Sequence, residues 1–484
     1  MLPHRVTVVP HLCATCVVLA IAQVVPLQSG DAQIPPATRP AGRPGFPSDA
    51  VIRSIIQQRV GEKRSAGIVV GLLDASGRRR IVAVGDAGPE QPTLDGNSVF
   101  EIGSISKVFT ATVLAELALE GKVRLDDPAQ RYLPPGVTLP ARGGKQITLG
   151  SLSEQNSGLP PMPANFHAPD ASNPFGHYAV EQMYEFLSGY VLTRDPGSQF
   201  EYSNLGVGLL GHVLALITRQ SYEAMERTRV WAPLGMRHTA VTLTPWMKAH
   251  LARGHDAQGT VIPNWDFSTL AGAGAIRSTT NDMLTFASAN LHPDHGVVER
   301  AMRFAQRERA PVGPPNEGIG LNWFTMRTAA DTIVWHNGGT GGYRSFLGVE
   351  PSRGRAVVVL ANSGGEGVDD IGMHLLDPSL PLTPAPPAPK QRSAMSLSIE
   401  ALAPNVGAYR LPAGDTLTVT LNGDELFLQG HLPKKRLWPE TETEFFMREV
   451  DLQITFVRNA QGRVDALVLH NGGERSLAPR ITAP

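Results

Sequence analysis

The sequence predicts an α+β protein with two domains: a larger domain built on an antiparallel sheet flanked by helices, and a small all-β domain that follows it. Strand patterns at residues 67–88 and 343–362 enclose a long region of helical patterns, so the terminal strands of the larger domain are expected to share one sheet. Proline-rich residues 377–397 suggest an unstructured joint, and short alternating strand patterns begin at residue 398. The length of 484 residues also exceeds that of a typical single domain, about 100–200 residues.

Residues 1–32 have the features of an export signal. A basic start is followed by a largely apolar run, and small residues precede the predicted cleavage site before Gln33. This predicts a periplasmic or secreted protein, and a retained membrane anchor is the alternative. The 2 cysteines, Cys13 and Cys16, both lie in this segment, so the cleaved chain would carry no thiol. A cysteine nucleophile, a disulfide framework and a thiolate metal site are therefore excluded for the mature chain.

Local patterns give the order of segments along the chain. Ser76-Gly77 is predicted to turn a hairpin, and a helix is predicted from Ser104 to Glu120 with Gly121 at its end. In the small domain, which is expected to be barrel-like, Asn422-Gly423 suits a hairpin turn. The predicted segments are a signal peptide at 1–32, a proline-rich linker at 33–49, the larger domain at 50–376, a second proline-rich linker at 377–397 and the small β domain at 398–484.

The composition argues against several classes of partner. The 43 basic and 44 acidic residues almost cancel, so neither a nucleic acid nor an anionic membrane surface is expected as a partner. The stretch HPDH at 292–295 has no obvious third metal ligand, and GAGAIRS at 272–278 lacks the strand–helix unit of a dinucleotide site. No metal and no organic cofactor is therefore expected. The predicted partner is a small-molecule or peptide substrate.

Ser104 and Lys107 are the first candidates for chemistry. Residues three apart on a helix share a face, so the Lys107 amine can reach the Ser104 hydroxyl. A serine hydroxyl becomes a nucleophile when a base takes its proton, and free N–H groups in the first helical turn suit an oxyanion. The spacing alone is a weak signal, because four-residue patterns of this kind are common in surface turns. It gains weight only from partners elsewhere in the sequence.

Two further motifs supply such partners. FEYSNLG places Tyr202 and Asn204 two apart before a predicted helix, and WHNGGTGGYRSF places His336 and Gly338 before a predicted strand. Ser-x-x-Lys, Tyr-x-Asn and His-x-Gly in this order resemble the class C β-lactamase and penicillin-binding protein superfamily. The stretches FEIGSISKVFTATVLAELALEGKVRLDDPAQRYLP, NSGLP and AVVVLANS also resemble that family, over about residues 50–376. Within that family, the sequence pattern is most similar to the periplasmic D-alanyl-D-alanine carboxypeptidase/endopeptidase branch.

The resemblance implies a fold, an activity and a nucleophile. The fold would be that of the serine β-lactamases and DD-peptidases, in which a mainly helical subdomain accompanies the sheet. The activity would be hydrolysis of D-Ala-D-Ala peptides and/or β-lactam amide bonds through an acyl-enzyme. Ser104 would be the acylated nucleophile, and Lys107 and Tyr202 would form the pair that handles its proton.

The resemblance also implies a set of substrate-binding residues. Asn204 would orient Lys107 and the substrate amide, and His336 would stand beside the scissile carbonyl on an edge strand. Gly338 would let that strand approach the substrate closely, because it has no Cβ. The N–H group of Gly339, together with that of the nucleophile, would form the oxyanion hole.

Two departures from the family pattern concern the pocket. Gln155 stands where relatives commonly have the His of His-Thr-Ser-Gly-Leu, and we interpret it as support for the wall of the site. His336 stands where many relatives have the Lys of Lys-Thr-Gly. A protonated His336 would help to hold a substrate carboxylate, whereas a free histidine is mostly neutral at neutral pH. A carboxylic-ester hydrolase on the same scaffold is therefore the alternative, and a non-catalytic penicillin-binding-like protein is a third class that the complete residue set disfavours.

Overall fold

The computed structural model of the chain describes residues 45–88, 93–170, 172–292, 296–385, 392–411, 416–430, 434–448, 452–471 and 474–481. The predicted export signal, both cysteines and most of the first proline-rich linker lie outside these residues. Within the described ranges, no helix is both long and apolar enough to span a membrane.

One large antiparallel sheet forms the centre of the larger domain. The strands of this domain are β1 (Gly67–Leu73), β2 (Arg79–Gly85), β3 (Val99–Glu101), β4 (Ala141–Arg142), β5 (Lys145–Gln146), β6 (Arg277–Thr279), β7 (Ala310–Pro311), β8 (Glu317–Ile319), β9 (Phe324–Arg327), β10 (Thr332–Gly339), β11 (Arg344–Glu350) and β12 (Arg355–Ala361). Eight of them form the sheet, in the order β2-β1-β12-β11-β10-β9-β8-β7. β3 pairs with β6, and β4 pairs with β5.

The first and last strand patterns of the larger domain meet in this sheet, as predicted. β1 pairs antiparallel with both β2 and β12, and Ile68 lies opposite Ala361. Every residue of β1 and β12 is buried, because these central strands are covered on two faces. Neighbouring residues of β1 point to opposite faces, so Val69 belongs to one hydrophobic core and Val70 to the other.

Helices cover both faces of the sheet. They are α1 (Asp49–Gly61), α2 (Ser106–Leu119), α3 (Leu149–Ser153), α4 (Val180–Gly189), α5 (Asn204–Thr218), α6 (Tyr222–Glu226), α7 (Ala232–Leu234), α8 (Pro245–Ala249), α9 (Ala271–Gly274), α10 (Thr280–Leu291), α11 (Val297–Gln306) and α12 (Asp369–Leu376). Ile52 of α1 and Ile371 of α12 belong to the smaller core on one face. Leu114 of α2, Leu209 of α5 and Phe286 of α10 belong to the larger core on the other face.

The small β domain is a closed barrel of eight strands. After the short helix α13 (Ile399–Leu402), the strands are β13 (Gly407–Arg410), β14 (Thr416–Asn422), β15 (Glu425–Gln429), β16 (Lys435–Pro439), β17 (Glu444–Phe446), β18 (Leu452–Arg458), β19 (Val464–Asn471) and β20 (Glu474–Ile481). Pairing of β13 with β20 closes the barrel. Tyr409, Ile454 and Phe456 are among the buried side chains of its own core. The predicted turn after Asn422 is present, with Gly423 at a φ of 61°.

The first part of the second proline-rich linker is held against the larger domain. The Thr383 N–H donates to Asp370 Oδ2 at 2.7 Å, and Arg64 Nη2 donates to the Thr383 carbonyl oxygen at 3.0 Å. Leu380 packs against the core that contains α12. Proline content suggested an unstructured joint throughout, but these contacts depend on residues far away in the sequence. The linker is therefore attached at its start.

Candidate active site

Ser104 lies in a tight turn at the start of α2. Residues Gly103–Ile105 form a 3₁₀ turn and α2 continues from Ser106, so the predicted helix is present with a different first turn. Gly103 has a φ of 50°, in the left-handed region. A Cβ at Gly103 would lie 2.7 Å from the Gly339 nitrogen, so only glycine allows both the backbone conformation and this approach. The turn therefore brings the half-buried Ser104 side chain against the end of β10.

The Lys107 side chain is fully buried, with three acceptors around its amine. Nζ lies 2.9 Å from Ser104 Oγ, 2.8 Å from Asn204 Oδ1 and 2.6 Å from the Ala273 carbonyl oxygen. Burial lowers the pKa of Lys107 well below its ordinary value of 10.5, because removal from water disfavours the charged amine. A neutral amine donates only two hydrogen bonds, and both Asn204 Oδ1 and the Ala273 carbonyl must accept one. In that neutral form the lone pair of Lys107 would be left for the Ser104 hydroxyl, whereas a protonated Lys107 donates to Ser104 Oγ.

Tyr202 lies on the loop that leads into α5. Ser203 caps this helix, since its hydroxyl accepts from the Gly206 N–H at 2.8 Å. Lys107 Nζ lies 4.8 Å from the centre of the Tyr202 ring. Burial raises the pKa of Tyr202 above its usual value of 10.0, and a hydrogen bond with the Ser104 side chain opposes this by less. The two shifts favour a protonated Tyr202 hydroxyl and a neutral Lys107 amine.

The His336 side chain is completely buried. Its ring centre lies 5.2 Å from that of Phe324 and 6.3 Å from that of Tyr202. Nδ1–H donates to the Asn337 carbonyl oxygen at 2.6 Å, and in the part of the chain that the structure describes Nε2 has no hydrogen-bond partner. Burial lowers the pKa of His336 to about 3, because removal from water disfavours the charged imidazole. The imidazole is therefore neutral near neutral pH, as a free histidine mostly is, and a neutral imidazole offers a substrate carboxylate no positive charge.

Glycines let β10 lie directly against the 3₁₀ turn. A Cβ on Gly338 would overlap the carbonyl oxygen of Ile102, and the Ser345 hydroxyl donates to the same oxygen at 2.8 Å. The strand of His336 is not an edge strand as the resemblance implied, because β10 lies between β11 and β9, but β9 pairs only with Thr332–Trp335. The following residues, 336–339, therefore present a backbone edge beside Ser104, and such an edge can bind an extended substrate through main-chain hydrogen bonds.

Gln155 lies behind the loop that carries Tyr202. Its Oε1 accepts from the Ser203 N–H at 2.7 Å, and its Nε2 donates to Asn322 Oδ1 at 2.9 Å. The side chain is 2% exposed, so it supports the loop from inside the protein. The sequence indicated a supporting role but could not show which segment is supported.

Sequence reasoning missed the acceptor that Ala273 provides for Lys107. A main-chain carbonyl cannot be recognised from residue type. The run of small residues at 272–278 is the sequence feature that accompanies this contact. A Cβ on Gly272 would lie 3.0 Å from the Cα atom of Gly211, so small residues let α9 pack closely on α5 and reach Lys107. The run is a packing feature rather than a dinucleotide fingerprint.

Glu101 is a second missed residue. This buried carboxylate on β3 accepts from the Trp265 N–H at 2.8 Å and from Asn264 Nδ2 at 3.0 Å. It thereby ties the loop before α9 to the strand that precedes Ser104. Over the described ranges, no three or more His, Cys, Asp or Glu side chains are grouped to hold a metal ion, and Pro293 to His295 of the HPDH stretch lie outside those ranges.

Comparison with known proteins adds sequence and fold relatives. Residues 52–378 match a protein-family model described as Beta-lactamase, and residues 389–480 match one described as Domain of unknown function (DUF3471). A beta-lactamase of Pseudomonas fluorescens is 28% identical over 347 residues, which span 64% of this chain and 92% of that protein. The D-alanyl-D-alanine-carboxypeptidase/endopeptidase AmpH of Escherichia coli (strain K12) is 29% identical over 365 residues, which span 70% of this chain and 92% of that protein.

A solved structure, the beta-lactamase/D-alanine carboxypeptidase from Pseudomonas syringae, has the same fold. It superposes with a TM-score of 0.57 at 19% identity, over 65% of this chain and 94% of that one. Residues 52–378 include Ser104, Lys107, Tyr202 and His336.

Proposed function

This chain belongs to the beta-lactamase family of serine hydrolases, and on that premise we propose that it forms an acyl-enzyme on Ser104. Its substrates would be D-Ala-D-Ala peptides and/or β-lactams, in keeping with the names of its relatives. The observation that carries the proposal is the hydrogen-bond geometry of Lys107. Two fixed acceptors occupy the two donors of the neutral amine, so its lone pair would be directed to the Ser104 hydroxyl at 2.9 Å.

Lys107 would act as the general base in acylation. As Ser104 Oγ forms a bond to the substrate carbonyl carbon, its proton passes to the Lys107 amine. The carbonyl oxygen becomes an oxyanion, which the N–H groups of Ser104 and Gly339 would stabilise. The bond to the leaving nitrogen then breaks as the Tyr202 hydroxyl gives that nitrogen a proton, and the proton held by Lys107 restores Tyr202. Water later attacks the acyl-enzyme carbonyl and releases the acid and Ser104.

Asn204 and the edge of β10 would place the substrate. Asn204 accepts from Lys107 Nζ through Oδ1, so its Nδ2 is the donor that it could offer to a substrate carbonyl. Because Gly338 has no Cβ, the strand can lie against the Ile102 carbonyl oxygen, which would bring its edge to the substrate beside Ser104.

A carboxylic ester is the second candidate substrate, and the state of His336 favours it. This imidazole is neutral and lies 5.2 Å from the Phe324 ring, whose centre lies 6.1 Å from that of Phe200. A substrate carboxylate beside it would exchange water for an uncharged, aromatic environment, which is unfavourable. A neutral ester has no such charge to satisfy.

The sequence also supports proposals about location and domain extents. Because residues 1–32 have the features of an export signal, we propose that the protein acts in the periplasm or outside the cell. The limits predicted from the sequence, 50–376 for the hydrolase domain and 398–484 for the barrel, are our proposal for the two domains.

The test is a side-by-side assay of a chromogenic cephalosporin, a D-Ala-D-Ala peptide and a p-nitrophenyl ester. The wild type should turn over at least one of the two amide substrates. Ser104→Ala should lose turnover of every substrate, by up to about 10⁶-fold. Fragmentation mass spectrometry after a penicillin-type probe should place the adduct on Ser104. Turnover of the ester alone would select the second candidate.

Ser106→Ala is the matched control for this experiment. The Ser106 hydroxyl is buried and accepts from the Ile276 N–H at 3.0 Å, so it is already engaged in holding a neighbouring segment. An adduct on Ser106, or normal turnover by Ser104→Ala, would overturn the proposal.

A further inference from the structure

Two buried amide side chains, Gln155 and Asn322, lie behind the loop that carries Tyr202. Gln155 is 2% exposed and Asn322 is 0% exposed. Both have a positive φ, 58° and 55° respectively. Residues with side chains adopt this conformation rarely and at an energetic cost. Neither residue takes part in the proposed acylation, so the reaction itself does not explain their unfavourable backbone conformation or their buried hydrogen bonds.

Gln155 is hydrogen-bonded to the backbone on each side of Tyr202. The Glu201 N–H donates to the Gln155 carbonyl oxygen at 2.7 Å, and the Ser203 N–H donates to Gln155 Oε1 at 2.7 Å. Ser203 is 1% exposed, so loss of its acceptor would leave a buried N–H unpaired. One residue therefore fixes both ends of the short segment from which the Tyr202 phenol projects.

Asn322 connects Gln155 to the helix of Lys107. Gln155 Nε2 donates to Asn322 Oδ1 at 2.9 Å. Asn322 Nδ2 donates to Ser153 Oγ at 3.1 Å and, over a longer distance of 3.4 Å, to the Lys107 carbonyl oxygen. Because each amide has a distinct donor and acceptor end, this orientation satisfies both side chains at once. The position of Gln155 is thus set relative to α2.

We propose that Gln155 is the positioning residue of Tyr202, and that Asn322 sets its place relative to Lys107. This inference rests on the proposed function, in which the Tyr202 hydroxyl protonates the leaving group. That hydroxyl must stay within hydrogen-bond reach of the reacting atoms, and a displacement of about 1 Å can cost about a hundredfold in rate. A loop bonded on both sides of Tyr202 to one buried residue restricts such a displacement.

The test is a double-mutant cycle between Gln155 and Tyr202. Gln155→Met keeps the volume and the main-chain contact but removes both side-chain hydrogen bonds. It should lower kcat about tenfold to hundredfold with little change in KM, because the binding edge of β10 is untouched. In a Tyr202→Phe background the same change should lower kcat by less than about threefold, since the positioned hydroxyl is already gone. Equal losses in both backgrounds would show that Gln155 has only a structural role.

Two further variants separate positioning from stability. Gln155→His should restore most of kcat, because a neutral imidazole also offers one acceptor to the Ser203 N–H and one donor to Asn322. Gln306→Met is the matched control, since Gln306 is another buried glutamine whose Nε2 donates to Asn290 Oδ1 at 2.7 Å. The Gln306→Met variant should have a lower melting temperature but an unchanged kcat. The proposal is wrong if Gln155→His is as slow as Gln155→Met, or if Gln306→Met slows turnover equally.

The outcomes also distinguish this inference from the proposed function. Full activity of Tyr202→Phe would remove Tyr202 from the mechanism and so overturn the proposed acylation. Low activity of Tyr202→Phe combined with normal activity of Gln155→Met would overturn the positioning role alone. If Gln155→Met does not fold, Asn322→Gly takes its place in the cycle, because it removes the acceptor of Gln155 Nε2 at a positive φ that glycine tolerates.

Discussion

The Ala273 carbonyl oxygen lies 2.6 Å from Lys107 Nζ, and no change of protonation can make it a donor. Asn204 Oδ1, at 2.8 Å, is the second fixed acceptor. A protonated Lys107 would donate to both and also to Ser104, and would then hold the serine oxygen as an acceptor. Only the neutral amine can receive the serine proton. Catalysis should therefore follow the neutral form of Lys107.

We expect kcat/KM to rise with pH as Lys107 loses its proton. Since burial lowers the pKa of Lys107 well below 10.5, the neutral form prevails above that lowered value, and the rise should end well below pH 10.5.

Lys107→Ala and Tyr202→Phe should each be severely slowed. The double variant should be scarcely slower, because both residues act on one proton transfer.

Profiles of kcat/KM against pH for the wild type and the three variants measure this. A rise still centred near pH 10.5 would show that burial does not tune Lys107. Losses that multiply in the double variant would show that the two residues act separately.

The KM of an anionic substrate should not change as pH passes through the usual range of histidine titration. With a pKa of about 3, His336 is neutral at every pH from about 5 to 8 and offers a substrate carboxylate no charge. The KM curves of a cephalosporin and a p-nitrophenyl ester should therefore run parallel over that range.

His336→Lys is the informative variant for this prediction. An amine at this position should favour the cephalosporin alone, by on the order of 1 kcal/mol in binding. A wild-type KM that rises with pH for the cephalosporin only would show that His336 is protonated in the complex.

Glu226 should make the protein less stable as pH rises. It is completely buried at the end of α6, and burial raises its pKa from 4.5 to about 8. The negative charge of Glu116 adds to this upward shift. Below pH 4.5 both the folded and the unfolded chain hold this proton, so Glu226 does not lower the free energy of unfolding there. As pH rises towards 8 only the folded chain keeps it, and stability is lost.

Glu226→Gln should remove this pH dependence, which is on the order of a few kcal/mol in the free energy of unfolding. Urea unfolding of the wild type and the variant, at about pH 5 and about pH 8, measures the difference. If both proteins lose the same stability over this range, Glu226 is not the group responsible.

A chain ended at Pro389 should fold and hydrolyse small substrates. It lacks the barrel, which has its own core, but keeps Thr383, whose backbone is bonded to Asp370 and Arg64. A chain ended at Leu376 lacks those contacts and should melt at a lower temperature. Thermal melting and an ester assay compare the two. Insoluble or inactive protein from the longer chain would show that the barrel is needed by the hydrolase domain.

Elements set by local patterns could be predicted from the sequence. The hairpin at Ser76-Gly77 and the turn at Asn422-Gly423 depend on a few adjacent residues, and both are present. The contact between Ser104 and Lys107 follows from their spacing, since residues three apart on a helical turn meet in any tertiary setting. For Tyr202, the order of the three motifs along the chain and their resemblance to a family, rather than residue spacing, indicated that it lies near Ser104 and Lys107.

Properties that depend on distant segments could not be predicted. The residue type of His336 suggests titration near neutral pH, but Phe324 and the Tyr202 loop enclose it and keep it neutral. Gln155 could be recognised only as a departure from a motif. Its partners, Ser203 and Asn322, come from other parts of the chain, and no local pattern records them.

The pairing of β1 with β12 has a consequence for how the chain reaches its folded state. Ile68 and Ala361 are neighbours in the sheet but stand at opposite ends of the hydrolase domain in the sequence. A chain that emerges from synthesis with its N-terminus first can form the β1–β2 hairpin early, but the other edge of β1 stays open until almost the whole domain has followed. All seven residues of β1 are apolar or glycine, so the open edge is a template for pairing with other chains. The topology therefore exposes the chain to aggregation during this interval, until β12 pairs with β1.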